Sequence, residues 1–149
     1  MIFRTYEGRY SIQFPEKYTG NPAHIQYRSL WEKKMMKYCD HNPNVLKWGY
    51  ETVRIPYVSP LDKRYHRYLV DFYLKLRNKQ GQIEHLLIEV KPKKQTRPPQ
   101  KKTYKTKQYV QDVYEYGVNE AKWKAATAYC QKRGWEFRIL TEDHLGSYK

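Results

Sequence analysis

Two acidic residues and a lysine interrupt apolar runs near the middle of the chain. Asp71 lies in the run 69–76 and Glu89 near the end of the run 86–91, with Lys91 two positions after Glu89. Burial disfavours the charged form of a carboxylate, so two carboxylates that converge require a compensating cation. A divalent metal ion is one interpretation, and an ion pair on an exposed sheet edge is the other.

The two apolar runs are predicted to form a β-hairpin. Both are short and rich in branched or aromatic residues, and the polar turn 78–81 separates them. Residues two apart on a strand point to the same face, so Glu89 and Lys91 project together. Asp71 can join them from the neighbouring strand. The hairpin therefore predicts one cluster of two carboxylates and a lysine.

A third acidic residue opens the first predicted helix, which runs from about Ser29 to Cys39 and ends before Pro43. Its apolar face is formed by Leu30, Trp31, Met35, Tyr38 and Cys39. Glu32 has two interpretations. With Ser29 it matches a capping box, in which the glutamate accepts a hydrogen bond from a free backbone N–H. Its position ahead of the acidic hairpin also makes it a candidate catalytic residue.

Composition indicates a single domain with an anionic partner. The chain has 149 residues and a formal net charge of +14, from 29 Lys and Arg against 15 Asp and Glu. Its 16 Tyr and 4 Trp offer faces on which bases can stack. We expect nucleic acid as the partner, with an anionic membrane or an acidic protein surface as alternatives. No apolar stretch predicts a membrane span, and no signal peptide is expected.

The segment between the first helix and the hairpin is predicted to be a strand followed by a basic connection. The strand covers Val45 to Ile55, and the prolines after it limit it to a sheet edge. The connection supplies Lys63, Arg64 and Arg67 as candidate DNA-binding residues. His66 is either a proton carrier or an ordinary surface residue.

The segment 92–107 contains no acidic residue and almost no apolar one, which predicts a mobile loop. Its candidate DNA-binding residues are Lys93, Lys94, Arg97, Lys101 and Lys102. Phosphate contacts by such residues release counterions, so binding weakens steeply with salt. The loop is either a clamp for the substrate or a solvated run of charge.

The flanking regions complete the predicted architecture. A short helix near 110–114, a second helix from Asn119 to Gly134 and a strand over 135–140 imply a crossover onto a mixed sheet. The second helix is predicted to turn Trp123, Ala126, Thr127 and Cys130 inward. We expect an α/β fold with one domain.

Two smaller features are less decisive. The N-terminal arm, residues 1–27, contains Phe3, Tyr6, Tyr10, Ile12 and Phe14, with a turn expected at Gly8. The arm is a packing strand, a dimer contact or a DNA contact, and the sequence does not choose among these. The two cysteines, Cys39 and Cys130, lack metal-type spacing, which favours free thiols in a reducing compartment.

The acidic cluster resembles a known family motif. Asp71, followed at a hairpin's length by Glu89-Val90-Lys91, is similar to the metal motif of the PD-(D/E)xK nuclease superfamily, with Val70 at the usual proline position. Members often supply an acidic residue from the preceding helix, and Glu32 matches that place. The resemblance implies a restriction-endonuclease-like mixed sheet flanked by helices.

The resemblance also implies a reaction. Asp71, Glu89 and the Val90 carbonyl would hold Mg²⁺, for which Mn²⁺ can substitute, because such hard ions prefer oxygen ligands. Glu32 would complete a second metal position or hold a water molecule. Lys91 would orient the attacking water and counter charge on the phosphate. The expected reaction is hydrolysis of DNA phosphodiester bonds.

Size, basicity and element order further resemble the head-completion endonucleases of T-even-type tailed phages, with some similarity to the nuclease subunit of Tn7-type transposases. This resemblance implies action on branched or protruding DNA ends, in the host cytoplasm or the virion, with portal or head–tail connector proteins as partners. Cleavage of both strands would require two active sites, which makes a homodimer plausible. The alternative is a non-catalytic basic module that retains the fold for binding.

Overall fold

The computed structural model describes residues 7–145, which form a mixed sheet with helices on both sides. In this part of the chain the elements are β1 (Gly8–Arg9), β2 (Gln26–Tyr27), α1 (Leu30–His41), β3 (Val45–Tyr50), β4 (Arg54–Val58), β5 (Tyr65–Leu69), β6 (Phe72–Arg77), β7 (Ile83–Val90), α2 (Lys107–Arg133), β8 (Glu136–Leu140) and α3 (Glu142–Leu145).

The central sheet has four strands in the order β3-β6-β7-β8. Strands β3, β6 and β7 are antiparallel neighbours, and β8 runs parallel to β7 after the crossover through α2. The predicted hairpin is β6 and β7, with Phe72 opposite Ile88. The mixed sheet and the α/β class are confirmed.

Helix α1 covers one face of this sheet. The Ser29 hydroxyl accepts a hydrogen bond from the Glu32 N–H at 3.1 Å, which starts the helix as predicted. Met35, Met36 and Cys39 are buried against the sheet. Leu30, predicted on the apolar face, is 50% exposed because its position in the first turn faces solvent.

Helix α2 is a single element of 27 residues, so the prediction of two helices was wrong. Thr106 caps its start, and Gly134 ends it in the left-handed conformation with φ 69°, as predicted. Ala126 and Cys130 are buried on its inner face. Thr127 was predicted to face inward but is exposed, and its hydroxyl donates to the Trp123 carbonyl at 2.8 Å.

The predicted strand over Val45 to Ile55 is two strands in different sheets. The chain leaves the central sheet at Glu51, which has a left-handed φ of 55°, and then enters β4. Strands β4 and β5 form a separate two-stranded sheet. The apolar face of this sheet, containing Ile55 and Tyr68, packs against α2, and that burial favours the break.

The predicted run 69–76 is divided in the same way. Strand β5 ends at Leu69, and β6 begins at Phe72. Asp71 therefore lies in the short connection between the two sheets rather than within a strand. Because Asp71 lies outside a strand, the alternation of side chains along a strand does not fix the direction of its carboxylate.

The N-terminal segment packs on the main core. Tyr10 and Ile25 are buried with α1 and the central sheet, and Gly8 lies in β1 rather than at a turn. The arm's other expected residues include Phe3 and Tyr6, which lie outside the described residues. Both cysteines are buried free thiols, in agreement with the prediction. No helix within residues 7–145 combines the length and apolar character needed to cross a membrane.

Candidate active site

The two predicted metal-binding carboxylates meet where the β6–β7 hairpin passes the end of the central sheet. Pairing of Phe72 with Ile88 places Asp71 beside the end of β7. Its Oδ2 accepts a hydrogen bond from the Val90 N–H at 2.8 Å. Lys91 Nζ lies 3.7 Å from Glu89 Oε2, so the lysine and the glutamate share a face as the spacing predicted.

The carboxylates of this cluster are poorly compensated. Burial raises the pKa of Asp71 well above its ordinary value, the charge of Glu89 adds to this effect, and the Val90 N–H opposes it. Burial also raises the pKa of Glu89, which is 6% exposed, while Lys91 acts in the opposite direction. Two enclosed acids that resist ionisation together form a site suited to a cation.

Two residues that the sequence analysis did not single out complete the surroundings of Glu89. The Tyr68 hydroxyl donates a hydrogen bond to Glu89 Oε1 at 2.7 Å. The Lys122 ammonium lies 5.6 Å from the centroid of the Tyr68 ring and 5.8 Å from that of Tyr57. No local motif marks either residue, because Tyr68 belongs to a basic aromatic segment and Lys122 comes from a distant helix.

Glu32 lies close enough for its charge to act on Asp71. One of its carboxylate oxygens accepts a hydrogen bond from the Arg28 N–H at 2.7 Å, so the glutamate takes part in capping α1. Burial raises its pKa. The buried Tyr50 hydroxyl lies near this carboxylate but completes no hydrogen bond among the described residues. The charges of Glu32 and Asp71 both act on Tyr50 and add to the effect of burial in raising its pKa.

The donors at this site fit a hard divalent cation. Within residues 7–145 there is no group of three or more His, Cys, Asp or Glu side chains that could hold a metal ion. The predicted ligands Asp71, Glu89 and the Val90 carbonyl are all oxygen donors, whereas Glu32, the fourth predicted ligand, does not form a three-acid group with Asp71 and Glu89. The weak compensation of the two acids and the unpaired Tyr50 hydroxyl are consistent with a further charged or polar group at this position.

The basic residues of the β4–β5 hairpin are exposed. Lys63 adopts a left-handed φ of 59° at the hairpin tip, with Arg64 beside it, and Arg67 projects from β5. His66 pairs with Asp62 at 2.7 Å within the same hairpin, which favours its surface interpretation. The hairpin is joined to Asp71 through β5, which ends two residues before it at Leu69.

The basic loop is partly anchored. A 3₁₀ turn covers Lys93–Thr96, and Lys93 binds α3 through its N–H to Glu142 at 2.6 Å and its ammonium to Asp143 at 2.8 Å. Lys94 and Arg97 line an open groove of about 670 Å³ against the first half of α2. The remaining candidates are Lys101 and Lys102, which are exposed.

Residues 42–142, more than half of the chain, match the family described as TnsA-like endonuclease N terminal. The chain belongs to the TnsA-like endonuclease family. Its matched region contains Asp71, Glu89 and Lys91, whereas Glu32 lies outside it.

A relative of similar length supports the same assignment. The chain is 42% identical over 144 residues to the head completion nuclease of Enterobacteria phage T4, and the match covers 94% of this chain and 93% of that protein. The family and this relative confirm the predicted nuclease resemblance, and the sheet with its flanking helices is consistent with the restriction-endonuclease-like fold.

Proposed function

We propose that this chain is a Mg²⁺-dependent DNA endonuclease that acts in phage head completion, where it trims branched or protruding ends of packaged DNA. The observation that carries this proposal is the cluster in which Asp71 and Glu89 converge with Lys91 at the end of β7. The name of the phage T4 relative supports the biological setting. The basic surface favours a polyanionic substrate.

Each residue of the cluster has a separate task in this proposal. Asp71, Glu89 and the Val90 carbonyl would hold Mg²⁺ or Mn²⁺, which when bound would supply positive charge at the phosphate and lower the pKa of a water molecule. Tyr68 fixes the orientation of Glu89 through its hydrogen bond. Lys91, whose side chain is 25% exposed, reaches solvent and orients the attacking water beside the scissile phosphate.

The substrate approaches along the exposed cations. The β4–β5 hairpin supplies Lys63, Arg64 and Arg67, and the segment after β7 supplies Lys93, Lys94, Arg97, Lys101 and Lys102. These residues contact the phosphate backbone and give affinity without base recognition. Portal or head–tail connector proteins as partners, and a homodimer for cleavage of both strands, belong to the same proposal.

The test is cleavage of a labelled branched DNA in Mg²⁺, compared with a linear duplex of the same sequence and repeated with Glu89→Ala. We expect wild-type cleavage that requires the metal ion and prefers the branched substrate, and no cleavage by the variant. Wild-type protein that binds both DNAs but cleaves neither in Mg²⁺ or Mn²⁺ would establish the alternative, a non-catalytic binding module.

Glu32→Gln separates capping from catalysis, because glutamine can still accept the hydrogen bond from the Arg28 N–H. If Glu32 supplies a metal ligand or holds a water molecule, cleavage falls by about tenfold or more while the melting temperature stays near that of the wild type. Unchanged cleavage would restrict Glu32 to its role in starting α1.

A further inference from the structure

Lys122 is a cation that the reaction proposed above does not use. It is partly buried on α2, and its ammonium lies over the rings of Tyr57 and Tyr68. The hydroxyl of Tyr68 donates to Glu89, so this ammonium and the catalytic carboxylate contact the same tyrosine. The charges of Glu89 and Asp71 both act on Lys122.

The ammonium has hydrogen-bonding capacity that the protein leaves unused. It has three donors, whereas the two tyrosine rings offer only their negatively polarised faces. Among the described residues, no acidic side chain forms an ion pair with Lys122. Lys124, two positions further along the same helix, is 79% exposed and pairs with Glu120 at 3.8 Å. The two lysines thus differ in enclosure and in partner.

An enclosed charge without a matching partner costs free energy. The charge of Glu89 acts on Lys122 through space, but the two side chains form no ion pair among the described residues, and the Glu89 oxygens contact Tyr68 and Lys91. A bound anion would offset the cost of enclosing the ammonium. A DNA phosphate presents the acceptor oxygens and the negative charge that three ammonium donors require.

We propose that Lys122 is a phosphate-binding residue that holds the DNA phosphate next to the scissile one and so positions the substrate against Asp71 and Glu89. This inference rests on the proposed nuclease function. Its geometric basis is the position of the ammonium over the ring of Tyr68, whose hydroxyl contacts Glu89. Lys91 serves the scissile phosphate, and Lys122 serves its neighbour.

The first experiment compares Lys122→Met with Lys124→Met, which removes the same charge from an exposed position of the same helix. Binding of labelled branched DNA is measured without divalent metal over a range of salt concentrations. We expect Lys122→Met to weaken binding by about tenfold or more and to lower the log–log salt slope by about 0.7 to 0.9. Lys122→Arg should restore most of the affinity, and Lys124→Met should leave binding near that of the wild type.

The second experiment identifies the phosphate. Single phosphates around the cut site are replaced in turn by neutral methylphosphonates, and each DNA is bound to wild-type protein and to Lys122→Met. We expect one position, adjacent to the cut, at which the substitution weakens wild-type binding but has no further effect on the variant. Additive losses at every position would overturn the assignment, because a broken contact cannot be lost twice.

Tyr68→Phe distinguishes phosphate binding from an effect through Glu89. This variant removes the hydrogen bond to Glu89 but leaves the ring under the ammonium. We expect slower cleavage with an unchanged salt slope, whereas Lys122→Met changes the slope. If Lys122→Met lowers only the melting temperature, the residue is structural and the inference is wrong. Wild-type protein that never cleaves DNA would refute the proposed function instead, while the binding measurements would still decide on Lys122.

Discussion

Two aspartates of this chain, Asp40 in α1 and Asp71 between the sheets, are held in opposite ways. Asp40 is 1% exposed and accepts hydrogen bonds from the Tyr10 hydroxyl at 2.8 Å, the Gln13 N–H at 2.8 Å and the Phe14 N–H at 2.9 Å. These donors satisfy both of its oxygens. A carboxylate with that many donors is a structural element that fastens the N-terminal segment to the helix.

Asp71 accepts one hydrogen bond, from the Val90 N–H, and faces a second carboxylate, Glu89. Burial and the neighbouring charge raise its pKa, so its surroundings oppose the ionised form. Both aspartates are buried, so burial alone does not distinguish a structural acid from a proposed catalytic one. Asp71 differs from Asp40 in having few hydrogen-bond donors and a second carboxylate nearby.

Lys17 and Lys122 differ in the same way as the two aspartates. The Lys17 ammonium donates to the carbonyls of Cys39, Asp40 and Asn42 at 2.7, 2.8 and 3.0 Å, so all three of its donors serve the end of α1. Lys122 is enclosed as well but lies over aromatic rings. The donors of Lys17 are satisfied within the protein, whereas those of Lys122 are proposed to bind a DNA phosphate.

The largest contrast is expected from Asp71→Asn. Cleavage should fall by about three orders of magnitude or more, because a carboxylate that supports charge at the transition state is lost. DNA binding should stay equal or become tighter, because less negative charge then faces the phosphate. Single-turnover cleavage and equilibrium binding measure the two effects. Wild-type turnover by this variant in Mg²⁺ would exclude Asp71 as a ligand.

The reverse pattern is expected from Asp40→Ala. The variant leaves three buried or partly buried donors without an acceptor, so the free energy of unfolding should fall by about 3 kcal/mol or more. Cleavage per folded molecule should remain near that of the wild type. Urea denaturation followed by tryptophan fluorescence measures the loss. Retained stability would mean that water replaces the carboxylate.

The pH dependence of stability sharpens the comparison in metal-free protein. The pKa of Asp71 is raised in the folded state, so the folded chain binds more protons than the unfolded chain between the ordinary and the raised value. Stability therefore falls as pH rises through that window. Relative to Asp71→Asn, the wild type should lose stability with rising pH, as measured by melting temperature in the presence of a chelator. A pH-independent difference would contradict the raised pKa of Asp71, which burial and the charge of Glu89 produce together.

The smallest effect is expected from the basic loop. Replacing Lys93, Lys94, Arg97, Lys101 and Lys102 with Ser should weaken DNA binding and flatten its salt dependence by about 0.7 to 0.9 in log–log slope for each lost phosphate contact. Lys93 should contribute least, because Asp143 already pairs with it. Turnover at saturating DNA should be kept. An unchanged slope would identify the loop as a solvated run of charge.

The acidic cluster was predictable because its members are local in sequence. Glu89 and Lys91 share a face through the two-residue repeat of a strand, and a hairpin brings Asp71 beside them. Lys122 and Tyr68 were not predictable in the same way. Their positions depend on how α2 packs against β4 and β5, and no local sequence pattern predicts that packing.

The strand boundaries failed for a related reason. The residues 45–55 alternate well enough for one strand, but Glu51 turns the chain because Ile55 and Tyr57 are buried against α2. Helix α2 was divided in the prediction because its first half buries few side chains. Val113 and Tyr114 are exposed there, and local backbone hydrogen bonds maintain the helix without an apolar stripe.

The connection at Asp71 is one of two that join the central sheet to the β4–β5 sheet. The chain passes between the two sheets twice, at Glu51 and at Asp71, and the Glu51 N–H donates to the Asp71 carbonyl at 2.9 Å. The Val70 N–H likewise donates to the Val53 carbonyl at 3.2 Å, so backbone hydrogen bonds hold the two passages together. The position of Asp71 therefore depends on the β4–β5 hairpin as well as on the central sheet.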